Sequence, residues 1–277
     1  MTVVAAVLCC ALYTYAAGRL RRRGDAWARG RDAVWWLGWA VLVCSVEVPW
    51  GTYLPPFTAH TVAHLGAGMV APLLVVVARP VTLALRTVPV AVRRGLVSLT
   101  RARVVRFLVL PPVAAVIDVG GLWLLYRAPL PAGVHHSPLL YPHLFAAGTL
   151  FTFSVLALDP LRHRPGLPLR AGTLLVAAAA HAVLAKSLWA AGPPGTAYAA
   201  ADLRMASQLM YYGGDLVEIA LAVVVAHQWY RAEGRALRRV RMLSTVAEGT
   251  GDGHDQSAAD AAAAHREHGR RTVAGSP

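Results

Sequence analysis

The chain has 277 residues, of which 56% are hydrophobic and only 15% are charged, and its mean hydropathy is +0.48. An average soluble domain carries about 25% charged residues, so this composition argues against a soluble globular protein. The net charge of +13 comes from arginines that flank apolar runs. This charge predicts contact with lipid headgroups, and no nucleic-acid partner is expected.

Seven apolar runs follow one another along the chain. They lie at 2–18, 33–50, 58–78, 107–126, 139–158, 172–191 and 206–229. Each is close to the roughly 17 to 25 residues that a helix needs to cross a bilayer. Only helices and closed barrels satisfy the backbone in lipid, and these runs are too long and too uniformly apolar for barrel strands. The sequence predicts an all-α integral membrane bundle of seven transmembrane helices within residues 1–241.

The arginines predict the orientation of this bundle, because cytoplasmic loops are enriched in basic residues. Strict alternation of the runs places 21 arginines on one side and two, Arg127 and Arg204, on the other. The N-terminus is therefore expected outside and the C-terminus in the cytoplasm. The run at 2–18 is predicted to be an uncleaved anchor, because its positive charges follow the apolar stretch. Residues 242–277 are predicted to form a disordered cytoplasmic tail.

Histidines give the strongest indication of function. His60 and His64 are four residues apart at the start of the third run, so both project from one helix face. Ionisable groups inside a membrane are costly and usually functional. The pair is therefore a predicted metal site, and His143, which lies on the same outer side, is the third predicted ligand.

Other polar residues are candidates for supporting roles. Side chains that would orient an imidazole or act as alternative ligands are Glu47, Asp118, His135, His136, Asp202 and Met205. A lone intramembrane histidine such as His181 is expected to hydrogen-bond a neighbouring helix. Lys186 is the only lysine and needs a partner inside the bundle. Its candidate partners are Asp118, Asp215 and Glu218, which predicts an ion pair or a proton path.

Several blocks of sequence resemble one known family. PPFTAHTVAHLGAGMVAPLLVVVARPVTLALR begins at Pro55, and DVGGLWLLYRAPL, HLFAAGTLFTFSVLALDP, HAVLAKSLWA and QLMYYGGDLVEIALAVVVAHQWY follow in order. Over residues 33–235 the chain is similar to the caa3-type cytochrome c oxidase assembly factors, the CtaG family. It departs from the family pattern at Thr61, where methionine is common, and at Leu203, where glutamine is common.

The resemblance implies a seven-helix, multi-pass protein of the bacterial cell membrane. Such a protein helps to mature a haem-copper oxidase, so cytochrome c oxidase subunits are the implied partners and copper is the implied metal. His60, His64 and His143 match the family's histidine pattern. Its charged positions correspond to Asp118, Asp159, Lys186, Asp215 and Glu218. Whether the chain acts as a metal chaperone, a transporter or a scaffold stays open.

Two other functions also remain open from the sequence. A haem-binding redox protein would use His64 and His143 as axial ligands, because two histidines on one helix cannot take both opposed positions of one haem. An ion or metal transporter would line its path with the intramembrane charged residues. An enzyme is not expected, because the sequence has no nucleophile elbow and Thr61 stands where a zinc protease carries glutamate.

Overall fold

The computed structural model describes residues 2–130, 137–160 and 164–235. Every regular element in these ranges is a helix, which confirms the predicted all-α class. His135, His136 and the tail at 242–277 lie outside the described residues. The chain divides into two units, Met1–Val225 and Ala226–Pro277, and the described part of the second unit is the end of the last helix.

The described ranges contain helices separated by short connections. They are α1 Thr2–Arg22, α2 Arg29–Glu47, α3 Pro56–Val77, α4 Pro80–Thr87, α5 Val90–Arg101, α6 Arg103–Leu108, α7 at 111–127, α8 Leu140–Leu156, α9 Leu167–Ala190 and α10 Ala200–Arg235. A 3₁₀ turn at Trp50–Thr52 precedes α3. α3 and α7 each contain a stretch of π-helix, at Leu65–Val70 and Val116–Gly120.

Four of these helices are long and apolar enough to cross a membrane, namely α1, α3, α9 and α10. The chain is therefore a helical membrane protein. The other three predicted runs also fall on helices: α2 carries Arg29, Arg31 and Asp32 in its first turn, α7 contains Asp118, and α8 has only 17 residues. The count of seven spans and the orientation of the termini stay predictions.

Two helices that begin with proline are capped by an aspartate from a distant part of the chain. At the start of α3, the Asp202 carboxylate accepts hydrogen bonds from the Phe57 and Thr58 N–H groups at 2.9 and 2.8 Å. At the start of α4, the Asp159 carboxylate accepts from the Thr82 N–H at 2.8 Å and from the Thr82 hydroxyl. The first N–H groups of a helix have no partner within it, and the helix dipole favours an anion there. A Pro-x-Thr sequence thus opens both of these capped helices.

Two arginines donate hydrogen bonds to carbonyl groups at the C-terminal ends of helices. Arg170 is 3% exposed and donates to the carbonyls of Val155 and Leu156, at 3.0 Å each, where α8 ends. Arg127 donates to the carbonyl of Ala191 at 3.0 Å, where α9 ends. A cation is favourable at the negative end of a helix. Arg127 is one of the two arginines on the arginine-poor side of the predicted topology. Its contact with the end of α9 is a structural reason for its position.

Among the described residues of the first unit, buried apolar side chains form four clusters, and the two largest lie around Tyr126 and Phe151. The Tyr126 cluster contains Phe57, Leu122, Leu125, Tyr126, Leu140, Leu144, Leu184, Ala185, Leu188, Ala206 and Met210. The Phe151 cluster contains Val76, Ala114, Val119, Phe151, Val155, Leu156, Leu174, Ala177, Leu221 and Val225. Lipid is as apolar as these side chains, so the clusters stabilise the bundle through close packing more than through removal from water.

α3 and α8 cross at a pair of glycines. A Cβ added to Gly148 would overlap the main-chain oxygen of Gly68 and would lie 3.1 Å from Pro72. Small residues at a helix crossing allow the two backbones to approach closely in a membrane. This crossing holds the π-helical part of α3, next to His64, directly against α8.

Candidate functional site

The predicted histidine pair lies on the second and third turns of α3, the helix that Asp202 caps. His64 is buried, with 1% of its surface exposed. Among the described residues, neither ring nitrogen of His64 has a hydrogen-bond partner. His60 is half-buried, and its Nε2 lies 3.0 Å from the Tyr126 hydroxyl oxygen. The two imidazoles therefore have different surroundings although they share one helix face.

Aromatic rings surround His60. The Phe57 ring is stacked with the His60 ring at 6.4 Å between centroids, and the Tyr126 ring is perpendicular to it at 5.8 Å. The same Tyr126 ring is perpendicular to His64 at 6.2 Å. Tyr126 thus contacts both imidazoles. Reasoning from the sequence missed this residue, because it lies 66 positions from His60 and no local spacing links the two.

His64 also borders a cavity of about 30 Å³ between helices of the bundle. Asp118 of α7, His181 of α9 and Glu218 of α10 line the same cavity, so four helices each contribute one ionisable side chain. The rest of the lining is mainly apolar and comes from both clusters. A cavity of this size holds about one or two water molecules or a single ion.

Both π-helical stretches border this cavity. The one in α3 begins directly after His64, and the one in α7 contains Asp118. π-Helical turns are rare and often occur at functional sites. Two π-helical stretches at one cavity therefore favour a functional role for this region.

His181 and Glu218 form an ion-pair contact on the cavity wall. The His181 Nδ1 lies 3.2 Å from a Glu218 carboxylate oxygen, although the contact lacks hydrogen-bond geometry. His181 fits only because residue 214 is glycine, since a Cβ at Gly214 would overlap its imidazole ring. The expected hydrogen bond from His181 to a neighbouring helix is not formed among the described residues, and its contact with Glu218 of α10 is electrostatic.

His143 does not join the histidine pair. It is exposed on α8, and its Nε2 faces Gly121, 3.7 Å from where a Cβ of that residue would lie. It lines a separate, more open groove that Asp118 also borders. Within the described ranges, no three side chains of His, Cys, Asp or Glu are placed to hold one metal ion. The predicted trio of His60, His64 and His143 is therefore not assembled in this conformation.

The described candidates for supporting roles have different surroundings. Glu47 is exposed at the end of α2, and Met205 is 45% exposed on α10. Asp202 is only 4% exposed, and both of its carboxylate oxygens accept hydrogen bonds from the start of α3. It therefore positions the helix that carries the histidines and is not free to act as a ligand. Burial raises the pKa of the adjacent Tyr198, and the Asp202 charge adds to that shift.

The predicted lysine ion pair is wrong. In the part of the chain that the structure describes, Lys186 pairs with none of Asp118, Asp215 and Glu218. Lys186 is exposed, and its Nζ lies 5.0 Å from the centre of the Tyr211 ring, a cation–π contact. Sequence spacing predicted that the lysine lies within an apolar helix but could not tell which way its side chain points.

The fold and the site define a class of protein. It is a helical membrane protein with two histidines and two acidic side chains around one interior cavity. The chain belongs to a family described as cytochrome c oxidase caa3 assembly factor, whose model matches residues 11–232. The resemblance seen in the sequence is thereby confirmed, and the match extends into α1.

Relatives of the chain occur in mycobacteria. Uncharacterized proteins of Mycobacterium bovis and Mycobacterium tuberculosis are each 31% identical to it, and one of Mycobacterium leprae is 27% identical. Each alignment covers 81% of this chain and 38% of the relative, so the chain spans less than two fifths of these proteins. No solved structure matches the chain.

Proposed function

We propose that this chain is a membrane assembly factor for a caa3-type cytochrome c oxidase and that it binds copper and delivers it to the oxidase. Family membership supports the assembly role. Cytochrome c oxidase subunits are then the partners within the bilayer, and the chain itself is not an enzyme. Its location in this proposal is the bacterial cell membrane.

The proposed topology has seven spans, with the N-terminus outside and the C-terminus in the cytoplasm. A helix covers most of each of the seven apolar runs, although only four helices qualify as spans by length and composition. The distribution of 21 arginines against two supports this orientation. His60 and His64 then lie towards the outer side, where an oxidase receives copper in this proposal.

The copper proposal rests on the environment of His64. A buried polar group without a hydrogen-bond partner costs about 1–3 kcal/mol, and such groups call for a bound water or ion. Both ring nitrogens of His64 are in this position within the described residues. An imidazole nitrogen is a good ligand for copper, and also for zinc and iron.

His60 and His64 are the proposed copper ligands, with His181 and Glu218 as the closest further candidates. The latter two border the same cavity as His64, whereas His143 lines a different groove. Because these side chains do not converge beforehand, binding requires them to move, and we expect an affinity lower than that of a preformed site. Weak binding suits a protein that passes its metal to a partner.

The test is copper content measured by mass spectrometry after copper loading and matched desalting in detergent. We expect about one copper per chain in the wild type and a loss of most of it in His60→Gln/His64→Gln. His227→Gln is a matched control, because His227 is an exposed histidine near the end of α10. Thermal unfolding of each variant verifies that it is folded.

The copper proposal would fail if the wild type and the double variant held equal amounts of metal. The assembly role has its own test in a bacterium that depends on this chain. Loss of the chain should lower the copper content and activity of the oxidase while the oxidase subunits are still made. An unchanged oxidase would contradict the assembly role whatever the copper result.

The interior cavity favours a second candidate function, the passage of a cation or a proton through the bundle. The Asp118 and Glu218 side chains face one cavity within membrane helices, where charge is costly unless it serves a purpose. Proteoliposomes should then show copper or proton flux that Glu218→Gln abolishes. The haem alternative receives no such support, because about 30 Å³ beside His64 is far too small for a porphyrin.

A further inference from the structure

The segment between α4 and α7 is unusual because its side chains are not buried against the rest of the described chain. It forms two short helices, α5 and α6, which have no buried residue at all. Large apolar side chains lie open on both: Val92 is 51% exposed, Leu99 59%, Val104 67% and Phe107 59%. Exposed apolar side chains on helices that bury nothing indicate that something outside the chain covers them.

α5 is amphipathic. Val92, Leu96 and Leu99 lie on one face, at spacings of four and three residues. The opposite face carries Arg94, Ser98 and Arg101 with the same spacing. A helix with this pattern fits a boundary between an apolar and a charged medium.

The charge of this segment is of one sign. Arg93, Arg94, Arg101, Arg103 and Arg106 lie within α5 and α6, and the sequence contains no aspartate or glutamate between Glu47 and Asp118. Among the described residues, none of these five arginines forms an ion pair. By contrast, Arg21 pairs with Asp32 at 2.7 Å, and Arg86 pairs with Asp25 at 2.9 Å. Acidic side chains of the chain thus neutralise nearby arginines but leave these five without an anionic partner.

We propose that α5 and α6 form an in-plane anchor, which places its apolar face in the bilayer and binds anionic lipid headgroups through its arginines. The position of the helices supports this partner, because they connect α3, a candidate membrane span, to the apolar helix α7. Helices with an apolar face and an arginine-rich face bind in the plane of anionic membranes. The bilayer that already surrounds the bundle therefore supplies both the apolar and the anionic partner. This inference does not depend on copper binding.

The test measures how deep α5 lies in lipid nanodiscs that contain the full-length protein. A spin label is placed at Leu99 or at Ser98 after the free cysteines Cys9, Cys10 and Cys44 have been replaced by serine. In discs of phosphatidylcholine and phosphatidylglycerol, the label at Leu99 should collide with oxygen, which is concentrated in lipid. The label at Ser98 should collide with a water-soluble nickel complex.

A triple variant tests the arginines. Each arginine near an anionic surface strengthens binding by roughly fivefold, so Arg93→Gln/Arg94→Gln/Arg101→Gln should weaken the in-plane state by about a hundredfold. The label at Leu99 should then become accessible to nickel, as it should in the original protein when phosphatidylglycerol is left out. The control variant replaces three arginines at the end of α1 by glutamine, namely Arg19, Arg22 and Arg23, and should leave the depth of Leu99 unchanged.

Two results would overturn the proposal. Equal nickel access at Leu99 and Ser98 in both lipids would mean that α5 lies in water, and the arginines would then face an acidic protein surface. A depth at Leu99 that is the same with and without phosphatidylglycerol would remove the anionic headgroup as the ligand.

Discussion

Replacement of Asp202 tests the link between the capped start of α3 and the histidine site. In Asp202→Ala the Phe57 N–H, the Thr58 N–H and the Thr58 hydroxyl lose their acceptors, which now lie at 2.9, 2.8 and 2.7 Å. A hydrogen bond to a charged group is worth about 1.5–3 kcal/mol, but three bonds to one carboxylate do not add fully. We expect the free energy of unfolding to fall by about 3–5 kcal/mol, as when one partner of a buried charged contact is removed. Asp202→Asn keeps one acceptor oxygen and should lose about half as much.

The assay is thermal unfolding in detergent at a fixed scan rate, because membrane proteins often unfold irreversibly. We expect the midpoint of Asp202→Ala to fall by roughly 10 °C. Asp215→Ala is the matched control: Asp215 is a half-buried aspartate on the same helix, and its loss should cost less than about 1 kcal/mol. Copper is measured in parallel on the folded fraction. An unchanged midpoint together with lost copper would refute the capping role and restore Asp202 as a metal ligand.

Two glycines give further predictions. Gly148→Ala should lower the free energy of unfolding by about 1–3 kcal/mol, because its Cβ would overlap the backbone oxygen of Gly68. Gly172→Ala faces open space within α9 and should instead be neutral or stabilising by up to about 1 kcal/mol, so similar melting of the two variants would contradict the close crossing. Gly214→Ala should displace the His181 ring, which its Cβ would overlap, and shift the imidazole signals of His181 in NMR spectra. Unchanged signals would show that His181 does not pack where the structure places it.

The contacts of Asp202 and Tyr126 show where reasoning from the sequence reached its limit. Tyr126 lies in one of the blocks that resemble the family, whereas Asp202 lies between two of them and was predicted as a supporting or alternative ligand. Nothing in the sequence indicated that Asp202 caps α3, because that contact joins residues 145 positions apart in the chain. Tyr126 was missed for the same reason, since a tyrosine in an apolar helix has no local feature that marks it as a partner of His60.

For the charged residues, too, the sequence predicted the position in a helix but not the partner. Sequence reasoning placed Lys186 and Glu218 at membrane depth, and both lie within apolar helices. It could not assign partners, because the partner depends on the rotation of each helix about its axis. The structure pairs Glu218 with His181 and leaves Lys186 against the ring of Tyr211.

The sequence by itself determined the helical membrane class, the positions of the long helices and the shared face of His60 and His64. These features are local, because a long apolar run in lipid can satisfy its backbone only as a helix, and residues four apart then lie on one face. Only the tertiary structure decided that His64 shares a cavity with Asp118, His181 and Glu218 while His143 does not. That outcome depends on the order and rotation of four helices around the bundle, and the apolar surfaces of membrane helices carry little local signal for either.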